Sequence, residues 1–318
     1  MRITRIIAAV FLLAVPKAWA ASLSEIRVDY ATYNPLSLVL KEQKLLEKAF
    51  EKDGISITWV QSLGSNKALE FLNASSIDFG STAGAAALLA RLNGNPIKSI
   101  YVYSRPEWTA LVTRKDSGIT KVADLKGKRV AVTRGTDPHI FLVRALAEAG
   151  LTEKDVTVVP LQHPQGAIAL ERGDVDAWAG LDPMMAAAEI NSGAVLFYRK
   201  PEANTWGILN VREEFAVAHP DIVKRVLAAY EEARAWALAH PSELKTLLAT
   251  FTKLPDAVVE RQLGTRTDFS SSAIGEPQRQ SILAAGLALQ QAGVIPATAD
   301  VKAGVDSLID NEFLTAAK

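Results

Sequence analysis

The feature that most constrains this chain is a strand–helix pattern that occurs twice. Four strand-like segments begin near residues 26, 55, 77 and 97, and four more begin near residues 128, 156, 175 and 194. Short β-branched runs that alternate with amphipathic helical stretches are typical of a parallel sheet with crossover helices. Because the second set nearly keeps the spacing of the first, we expect an α/β protein with two lobes of one design, each a small sheet flanked by helices.

Two extended segments connect the repeats, and we call residues 108–118 the first crossing and residues 205–215 the second crossing. They are predicted to be the two hinge strands by which the chain enters and leaves the second lobe. A chain that passes twice between lobes leaves a cleft with a hinge at its base. Beyond about residue 219 the apolar spacing predicts a helical C-terminal segment that prolines divide into short helices. The expected divisions are 21–107 for the first part of lobe I, 108–206 for lobe II, and 207–318 for the return to lobe I with the C-terminal helices.

The first 20 residues have the pattern of a secretory signal peptide. Arg2 and Arg5 precede an apolar run at residues 6–15, and Ala18 and Ala20 form a small-residue cleavage site. The apolar run has about half the length that a bilayer span requires. We therefore expect a mature chain that begins at Ala21 and is free in the periplasm, without a lipid anchor because no cysteine follows the cleavage site.

Composition excludes several classes of function. The 35 basic residues balance 35 acidic residues, so the chain lacks the surplus positive charge that is typical of nucleic-acid binders. The absence of cysteine excludes disulfides, zinc–thiolate sites, iron–sulfur clusters and cysteine nucleophiles. No histidine and carboxylate pair has metal-ligand spacing, and the sequence carries no Walker or dinucleotide motif.

The sequence offers little that predicts catalysis. Residues 80–84 (GSTAG) approach a nucleophile elbow, but Thr82 occupies the position of the serine. His139, in the first turn of the first helix of lobe II, is the one histidine that could transfer protons, although a structural role is the simpler interpretation. The other histidines precede prolines at helix or turn boundaries and are expected at the surface: His163, His219 and His240.

Anion binding has more support. Ligands of parallel α/β lobes sit beyond the carboxyl ends of the strands, where the next helices begin, and helix N-termini attract anions. Any one of these turns is also explained by ordinary helix capping, for example by Asn34 or Ser65. The hypothesis depends on several turns facing one cleft, with small or hydroxyl side chains and free backbone N–H groups. The strand-to-helix turns are residues 32–35, 63–66, 81–84, 134–138 and 181–183.

Four further residues bear on the ligand. A carboxylate at Asp137 would occupy the N–H groups that an anion needs, so either the anion binds mainly to lobe I or Asp137 meets a cationic part of the ligand. Arg134 is close enough in sequence to neutralise Asp137. Trp108 and Trp206, in the two crossings, are candidates for covering an organic group on the cleft floor, and Trp206 is the preferred one.

Four segments give the chain a resemblance to a known family: residues 67–90 (KALEFLNASSIDFGSTAGAAALLA), 122–146 (VADLKGKRVAVTRGTDPHIFLVRAL), 171–189 (ERGDVDAWAGLDPMMAAAE) and, more weakly, 204–227 (NTWGILNVREEFAVAHPDIVKRVL). They resemble the periplasmic substrate-binding proteins of ABC importers for aliphatic sulfonates, with taurine and nitrate relatives. The resemblance covers nearly the whole mature chain.

The resemblance implies a monomeric protein that closes two lobes on a small organic anion, a sulfonate, without a cofactor. It also implies two partners, a membrane permease and a cytoplasmic ATPase, and a role in sulfur acquisition. By motif position it implies these ligand-binding residues: Tyr33, Asn34, Gly64, Ser65, Ser81, Thr82, Gly135, Thr136, Asp137, Asp182 and Trp206.

The sequence departs from the sulfonate pattern at two places. Residues 135–139 read Gly-Thr-Asp-Pro-His where the family resembles Gly-Ser-Ser-Ser-His, and Leu181 replaces an aromatic residue. Two alternatives therefore stay open. The same fold could bind nitrate, bicarbonate or a pyrimidine vitamin precursor, or it could carry an enzyme that uses His139 or an aspartate.

Overall fold

The computed structural model of the chain describes residues 23–315, and the predicted signal peptide lies outside this range. The strands are β1 (Glu25–Tyr30), β2 (Ser56–Gln61), β3 (Phe79–Ala83), β4 (Ile97–Pro106), β5 (Leu111–Thr113), β6 (Arg129–Val132), β7 (Thr157–Pro160), β8 (Ala177–Ala179), β9 (Val195–Tyr198), β10 (Gly207–Arg212) and β11 (Thr267–Asp268).

Helices follow most of these strands. They are α1 (Pro35–Glu42), α2 (Leu45–Phe50), α3 (Ser65–Asn73), α4 (Gly84–Leu92), α5 (Asp137–Glu148), α6 (His163–Arg172), α7 (Met184–Ser192), α8 (Glu213–Ala218), α9 (Pro220–Ala239), α10 (Pro241–Thr252), α11 (Asp256–Arg266), α12 (Glu276–Gln291), α13 (Val301–Leu308) and α14 (Glu312–Thr315). Within residues 23–315, no helix combines the length and the apolar character that a membrane span requires.

The strands form two sheets that share one design. The sheet of lobe I has the order β11-β4-β10-β3-β1-β2, and the sheet of lobe II has the order β7-β6-β8-β5-β9. In lobe I, β1 pairs in parallel with β2 and β3, and β10 lies antiparallel between β3 and β4. In lobe II, β6 pairs in parallel with β7 and β8, and β5 lies antiparallel between β8 and β9.

The prediction of parallel sheets is therefore wrong for β5 in lobe II and for β10 and the two-residue β11 in lobe I, since β11 pairs antiparallel with β4. The first two exceptions belong to the crossings, because β5 lies in the first crossing and β10 in the second. A parallel neighbour needs a crossover connection of a dozen or more residues, usually a helix, whereas a strand that arrives directly from the other lobe is free to pair antiparallel. Each crossing thus ends inside the sheet of the lobe that it enters.

An arginine–aspartate pair of the same kind joins two strands in each lobe. In lobe I the Asp78 carboxylate accepts from the backbone N–H of Arg27 at 2.9 Å and from its guanidinium at 2.8 Å. In lobe II Asp176 accepts from the backbone N–H of Arg129 at 2.8 Å and from its guanidinium at 3.3 Å. The pair in lobe I is more deeply buried and has a second arginine, Arg212, at 2.8 Å from Asp78.

The hydrophobic core differs between the lobes. In lobe I one large cluster joins the sheet to the C-terminal helices, and it also takes in Ile140 and Leu181 from lobe II. Lobe II has two smaller clusters, one around Leu142 and one around Trp178. Helix α5 packs against α4 and α12, so the lobes are in direct contact beside the cleft.

The long C-terminal helix α9 shows how the sequence produces this packing. Proline at its first position has no N–H to lose, and the apolar positions recur at helical spacing. Its buried face carries Val223, Val226, Leu227, Tyr230, Ala233 and Ala237. Helix α9 lies on α1 and α2 and so completes the core of lobe I.

Candidate functional site

A small cavity lined by buried residues lies where the two lobes meet. Its empty volume, with the space that opens to solvent included, is about 190 Å³. Lobe I, lobe II and the first crossing all contribute side chains to its wall, which carries no arginine or lysine. The lining residues are Tyr33, Ser65, Trp108, Thr136, Asp137, Pro138, His163 and Leu181.

Three helix N-termini reach this cavity. Helix α3 begins at Ser65, α5 at Asp137 and α6 at His163, and in none of the three does the N-cap side chain accept a hydrogen bond from the helix amides. The first amides of a helix have no intrahelical partner and carry the positive end of the helix dipole. Their convergence makes this cavity suited to a small anion.

Two predicted residues of lobe I, Asn34 and Ser81, lie behind the wall and support it. Asn34 caps α1 by accepting from the Ser37 N–H, and its amide donates to Ser81 Oγ at 2.8 Å. Ser81 in turn donates its N–H and its hydroxyl to Asp29. The Tyr33 hydroxyl donates to the Ser81 carbonyl at 3.0 Å, which fixes the tyrosine ring at the cavity.

Burial raises the pKa of Asp29 to about 6, against the lowering effect of its hydrogen bonds with Ser81. One of its oxygens, Oδ2, is buried without a partner.

Thr82 lies next to Ser81 on strand β3. Its hydroxyl accepts from the Asn210 amide at 2.7 Å and donates to the Ala83 carbonyl. The side chains of Asn34, Ser81 and Thr82 are therefore already occupied within the protein.

The expected free N–H groups at residues 81–84 are not found, because the second crossing occupies them. The Gly84 N–H lies 3.1 Å from the Thr205 carbonyl and 3.2 Å from the Trp206 carbonyl. The Ala85 N–H donates to Thr205 Oγ1 at 3.0 Å. The prediction was wrong at this turn because Thr205 is 120 residues away from Ala85, and local sequence carries no sign of that contact.

Asp137 joins both crossings to the start of α5. Its Oδ2 accepts from Trp108 Nε1 at 2.8 Å and from the Thr205 N–H at 2.9 Å, and its Oδ1 accepts from Thr205 Oγ1 at 2.6 Å. Burial raises the pKa of Asp137, and these donors oppose that rise. The predicted neutralisation by Arg134 does not occur, because the exposed Arg134 pairs with Glu153 at 3.2 Å.

Asp182 lies in a buried ion pair and does not line the cavity. Arg266 of α11 donates to both of its oxygens, at 3.2 and 3.3 Å, and contacts Glu189 as well. Asp182 also accepts from the Ala186 N–H and so caps the first turn of α7. Burial raises the pKa of Asp182 to about 6 despite the nearby arginine.

The tryptophans of the two crossings have different surroundings. Trp108 is buried in the cavity wall, where its ring meets the edge of Tyr33 at a centroid distance of 6.0 Å. Trp206 is only partly buried, and the Arg105 guanidinium lies over its ring at 5.3 Å. The ring of Trp206 is not part of the cavity wall. Its backbone has a φ of 65°, which is strained for a bulky residue.

Two predicted glycines adjoin the cavity for different reasons. Gly135 has a φ of +76°, a conformation that favours glycine, in the turn that leads to α5. Gly64 is extended, so its backbone would accept any residue, but its surroundings would not. A Cβ on Gly64 would lie 2.9 Å from Asn66 Oδ1 and 3.0 Å from His163 Nε2.

His163 is the lining residue that sequence reasoning missed. It was expected in a surface turn, yet its side chain is fully buried at the start of α6. Burial lowers its pKa to about 3. The signal that could have found it was its place directly after a strand, at the same kind of strand-to-helix turn as residues 63–66. His139, by contrast, contacts Glu153 at 3.2 Å and does not line the cavity.

A larger groove, of about 1,210 Å³ with its open side included, lies outside the cleft, between α6, α7 and Leu254. Its lining combines apolar side chains with charged ones such as Arg114 and Glu171, and Ile168 in it is half-exposed. No set of helix N-termini converges there. In residues 23–315 no cluster of three or more histidine, aspartate or glutamate residues has the arrangement of a metal site.

Comparison with known proteins agrees with this architecture. The model of the NMT1/THI5-like family matches residues 49–244. A Bacillus subtilis protein provisionally named for binding aliphatic sulfonates is 30% identical over 81% of this chain and 80% of its own length. A taurine-binding periplasmic protein of Escherichia coli is 28% identical over 65% of this chain and 64% of its own length.

Solved structures extend the likeness to the whole fold. The alkanesulfonate-binding protein SsuA of Xanthomonas axonopodis, bound to MOPS, superposes with a TM-score of 0.82 at 27% identity, covering 92% of this chain and all of that one. The desulfurization enzyme DszB, at 18% identity and a TM-score of 0.68, shows that the same fold also carries catalysis. The chain belongs to the NMT1/THI5-like family.

Proposed function

We propose that this chain captures an aliphatic sulfonate between its lobes and delivers it to an ABC importer. The observation that carries the proposal is the meeting of three helix N-termini without side-chain caps, those of α3, α5 and α6, at one cavity. A sulfonate spreads one negative charge over three acceptor oxygens and has no donor. Helix amides are the complementary donors, and so is the Ser65 hydroxyl, which accepts from the Ala83 N–H and keeps its own hydrogen to donate. The Thr136 hydroxyl already donates to the Thr133 carbonyl at 2.6 Å.

The cavity wall contains no lysine or arginine, so an anionic ligand would be held there by peptide and hydroxyl dipoles. The one ionisable carboxyl group of the wall, Asp137, already accepts three hydrogen bonds from Trp108 and Thr205. Hydrogen bonds to a charged ligand contribute about 1.5–3 kcal/mol each. We expect an affinity of roughly micromolar, or about −8 kcal/mol, which suits a protein that must also release its ligand.

The proposed working form is a monomer with two lobes that close by bending at the crossings. Residues 21–107 and 207–318 constitute lobe I, residues 108–206 constitute lobe II, and the signal peptide at residues 1–20 is removed. The mature chain acts in the periplasm without a lipid anchor. Its closed form is recognised by a membrane permease whose ATPase lies in the cytoplasm. Support comes from the relatives, which include a periplasmic taurine-binding protein.

Binding without catalysis fits the placement of the candidate proton carriers. His139 contacts Glu153 at 3.2 Å and lies outside the cavity wall. Asp137 is held by its three donors at the junction of the crossings. We expect mass spectrometry to recover a bound sulfonate unchanged after long incubation, and a released sulfite or a shortened carbon chain would contradict this.

The test of the proposed function is titration calorimetry with the purified protein. Short and long alkanesulfonates should bind saturably, whereas nitrate and bicarbonate should give no heat of binding. Binding of nitrate or bicarbonate alone would contradict the sulfonate assignment and leave the fold intact. Taurine and ethanesulfonate form a matched pair that differs by one ammonium group. Equal affinities would mean that Asp137 stays with Trp108 and Thr205, and a stronger response to taurine would mean that Asp137 meets the amine.

A further inference from the structure

The imidazole of His163 is a buried polar group without a partner in the protein. Its side chain is fully buried, and neither Nδ1 nor Nε2 forms a hydrogen bond. A buried donor or acceptor that lacks a partner destabilises the folded state, and native proteins contain few of them. A purely structural position would be filled better by an apolar side chain of the same size.

The position of His163 points to a ligand. It lines the cavity between the lobes, at the start of α6 in lobe II. Its Nε2 lies 3.0 Å from the site that a Cβ on Gly64 would occupy, so it reaches the start of α3 in lobe I. Glycine at residue 64 leaves the space that this ring needs.

The chemistry of the ring fits an oxyanion. Burial keeps the imidazole neutral, since desolvation lowers its pKa to about 3. A neutral imidazole has one N–H donor, whereas a sulfonate oxygen is an acceptor only. His139 shows the contrast, because its Nε2 already lies 3.2 Å from the Glu153 carboxylate.

We propose that His163 Nε2–H donates a hydrogen bond to an oxygen of the ligand's sulfonate group and is the ligand contact that α6 contributes when the lobes close. This inference rests on the proposed function. Gly166, one turn after His163, lets α6 pack closely against Trp178, because a Cβ at this residue would lie only 2.7 Å from Trp178 Nε1.

The experiment compares two substitutions of similar volume. In His163→Gln the side-chain amide nitrogen replaces Nε2, whereas His163→Met keeps the bulk and removes the donor. His240→Met, at a partly buried histidine of the α9–α10 junction outside the cavity wall, is the matched control. Titration calorimetry with ethanesulfonate should show at least a tenfold loss of affinity for His163→Met. We expect losses of less than about threefold for His163→Gln and His240→Met.

Folding is checked separately by thermal unfolding without ligand. We expect His163→Met to unfold at the same temperature as the unaltered protein or higher, so that lost affinity is not lost structure. A His163→Met protein that binds ethanesulfonate within twofold of the unaltered protein would overturn the inference. So would a protein in which Gln and Met at this position weaken binding equally.

Failure of the proposed function would look different. If the unaltered protein bound no sulfonate at all, the proposed function would fall and the sulfonate contact of His163 with it. A second readout follows the ring itself: the nitrogen-15 resonance of His163 Nε2 should shift on addition of ethanesulfonate, and the resonances of His240 should not. A ring that stays unshifted while ethanesulfonate binds would overturn the inference alone.

Discussion

The two lobes are copies in topology and complements at their contact. Ser65 and His163 both begin the helix that follows the second parallel strand of their lobe, and they lie 98 residues apart, as do Asp78 and Asp176. One lobe places Gly64 and a small serine at this turn, and the other places an imidazole against them. A repeated design can therefore give two surfaces that fit each other, because the residues at one turn diverged in size.

The largest expected difference between the lobes is in how much each arginine–aspartate pair contributes to the free energy of unfolding. Asp78→Asn leaves Arg27 and Arg212 without their shared carboxylate in a largely buried site, and we expect a loss of about 3 kcal/mol in the free energy of unfolding. Asp176→Asn breaks a half-exposed pair and should cost about 0.2–1 kcal/mol. Urea denaturation of both variants checks this, and equal losses would remove the distinction between the lobes.

A substitution in the second crossing should have the next largest effect. Thr205→Val removes the hydroxyl that donates to Asp137 and accepts from the Ala85 N–H, and we expect a loss of about 1–3 kcal/mol in stability. Thr113→Val, in the first crossing, removes a hydroxyl that donates only to the Asp176 carbonyl and serves as the control. Equal losses for the two variants would contradict the special role of the second crossing.

The cost of Thr205→Val should also depend on pH. Burial raises the pKa of Asp137 above its ordinary value of 3.8, so the folded state holds this proton more tightly than the unfolded chain. The contribution of Asp137 to stability is full below 3.8 and is lost as pH rises through the raised folded value. Because Thr205 donates to the ionised form, its loss raises that folded pKa further. The difference in free energy of unfolding between the variant and the unaltered protein should therefore widen with rising pH. Urea denaturation of both proteins at several pH values, from below 3.8 upward, measures this difference.

Filling the space at Gly64 tests the complementarity directly. Gly64→Ala should weaken sulfonate binding about tenfold, or about 1.4 kcal/mol, because its Cβ would approach His163 Nε2 and Asn66 Oδ1 as the lobes close. The extended backbone accepts alanine, but the same close approaches exist without a ligand, so we also expect a loss of about 1–3 kcal/mol in the free energy of unfolding. In a His163→Ala background the same change should cost far less affinity. If Gly64→Ala weakened binding equally in the His163→Ala background, the added Cβ would not act through the His163 ring.

The smallest effect is expected at the other tryptophan of the crossings. Trp108 lines the cavity, whereas Trp206 packs beneath the Arg105 guanidinium. Trp206→Ala should therefore change the affinity for a short alkanesulfonate by less than about twofold, and calorimetry measures it. A loss of tenfold or more would show that this ring reaches the ligand in the bound state.

Much of the fold could be predicted because it follows from local periodicity. The alternation of strands and helices, the doubling of the pattern and the two crossings are all visible in short windows of sequence. The antiparallel direction of β5 and β10 was not visible, since it depends on which sheet each crossing joins. Local spacing cannot report on pairing between distant strands.

The candidate site could be predicted only in part for the same reason. Helix N-termini were found from strand-to-helix turns, and four of the ligand-binding residues that the family resemblance implied line the cavity: Tyr33, Ser65, Thr136 and Asp137. At two other turns the hydrogen-bonding groups are already paired with residues far along the chain. Arg266 binds Asp182, and Thr205 binds the start of α4. His163 was misplaced because a histidine before a proline is common at surfaces, and local sequence carries no sign of its close approach to Gly64 of the opposing lobe.

The absence of lysine and arginine from the cavity wall, among the residues that the structure describes, has a consequence for the medium in which such a protein can work. Mobile ions weaken attraction between exposed charges, and they do so far less where water and salt are excluded. A site that holds its anion through enclosed peptide dipoles should keep its affinity in brine and in fresh water alike. A receptor that relied on a patch of surface lysines would instead lose its ligand whenever the surroundings became salty.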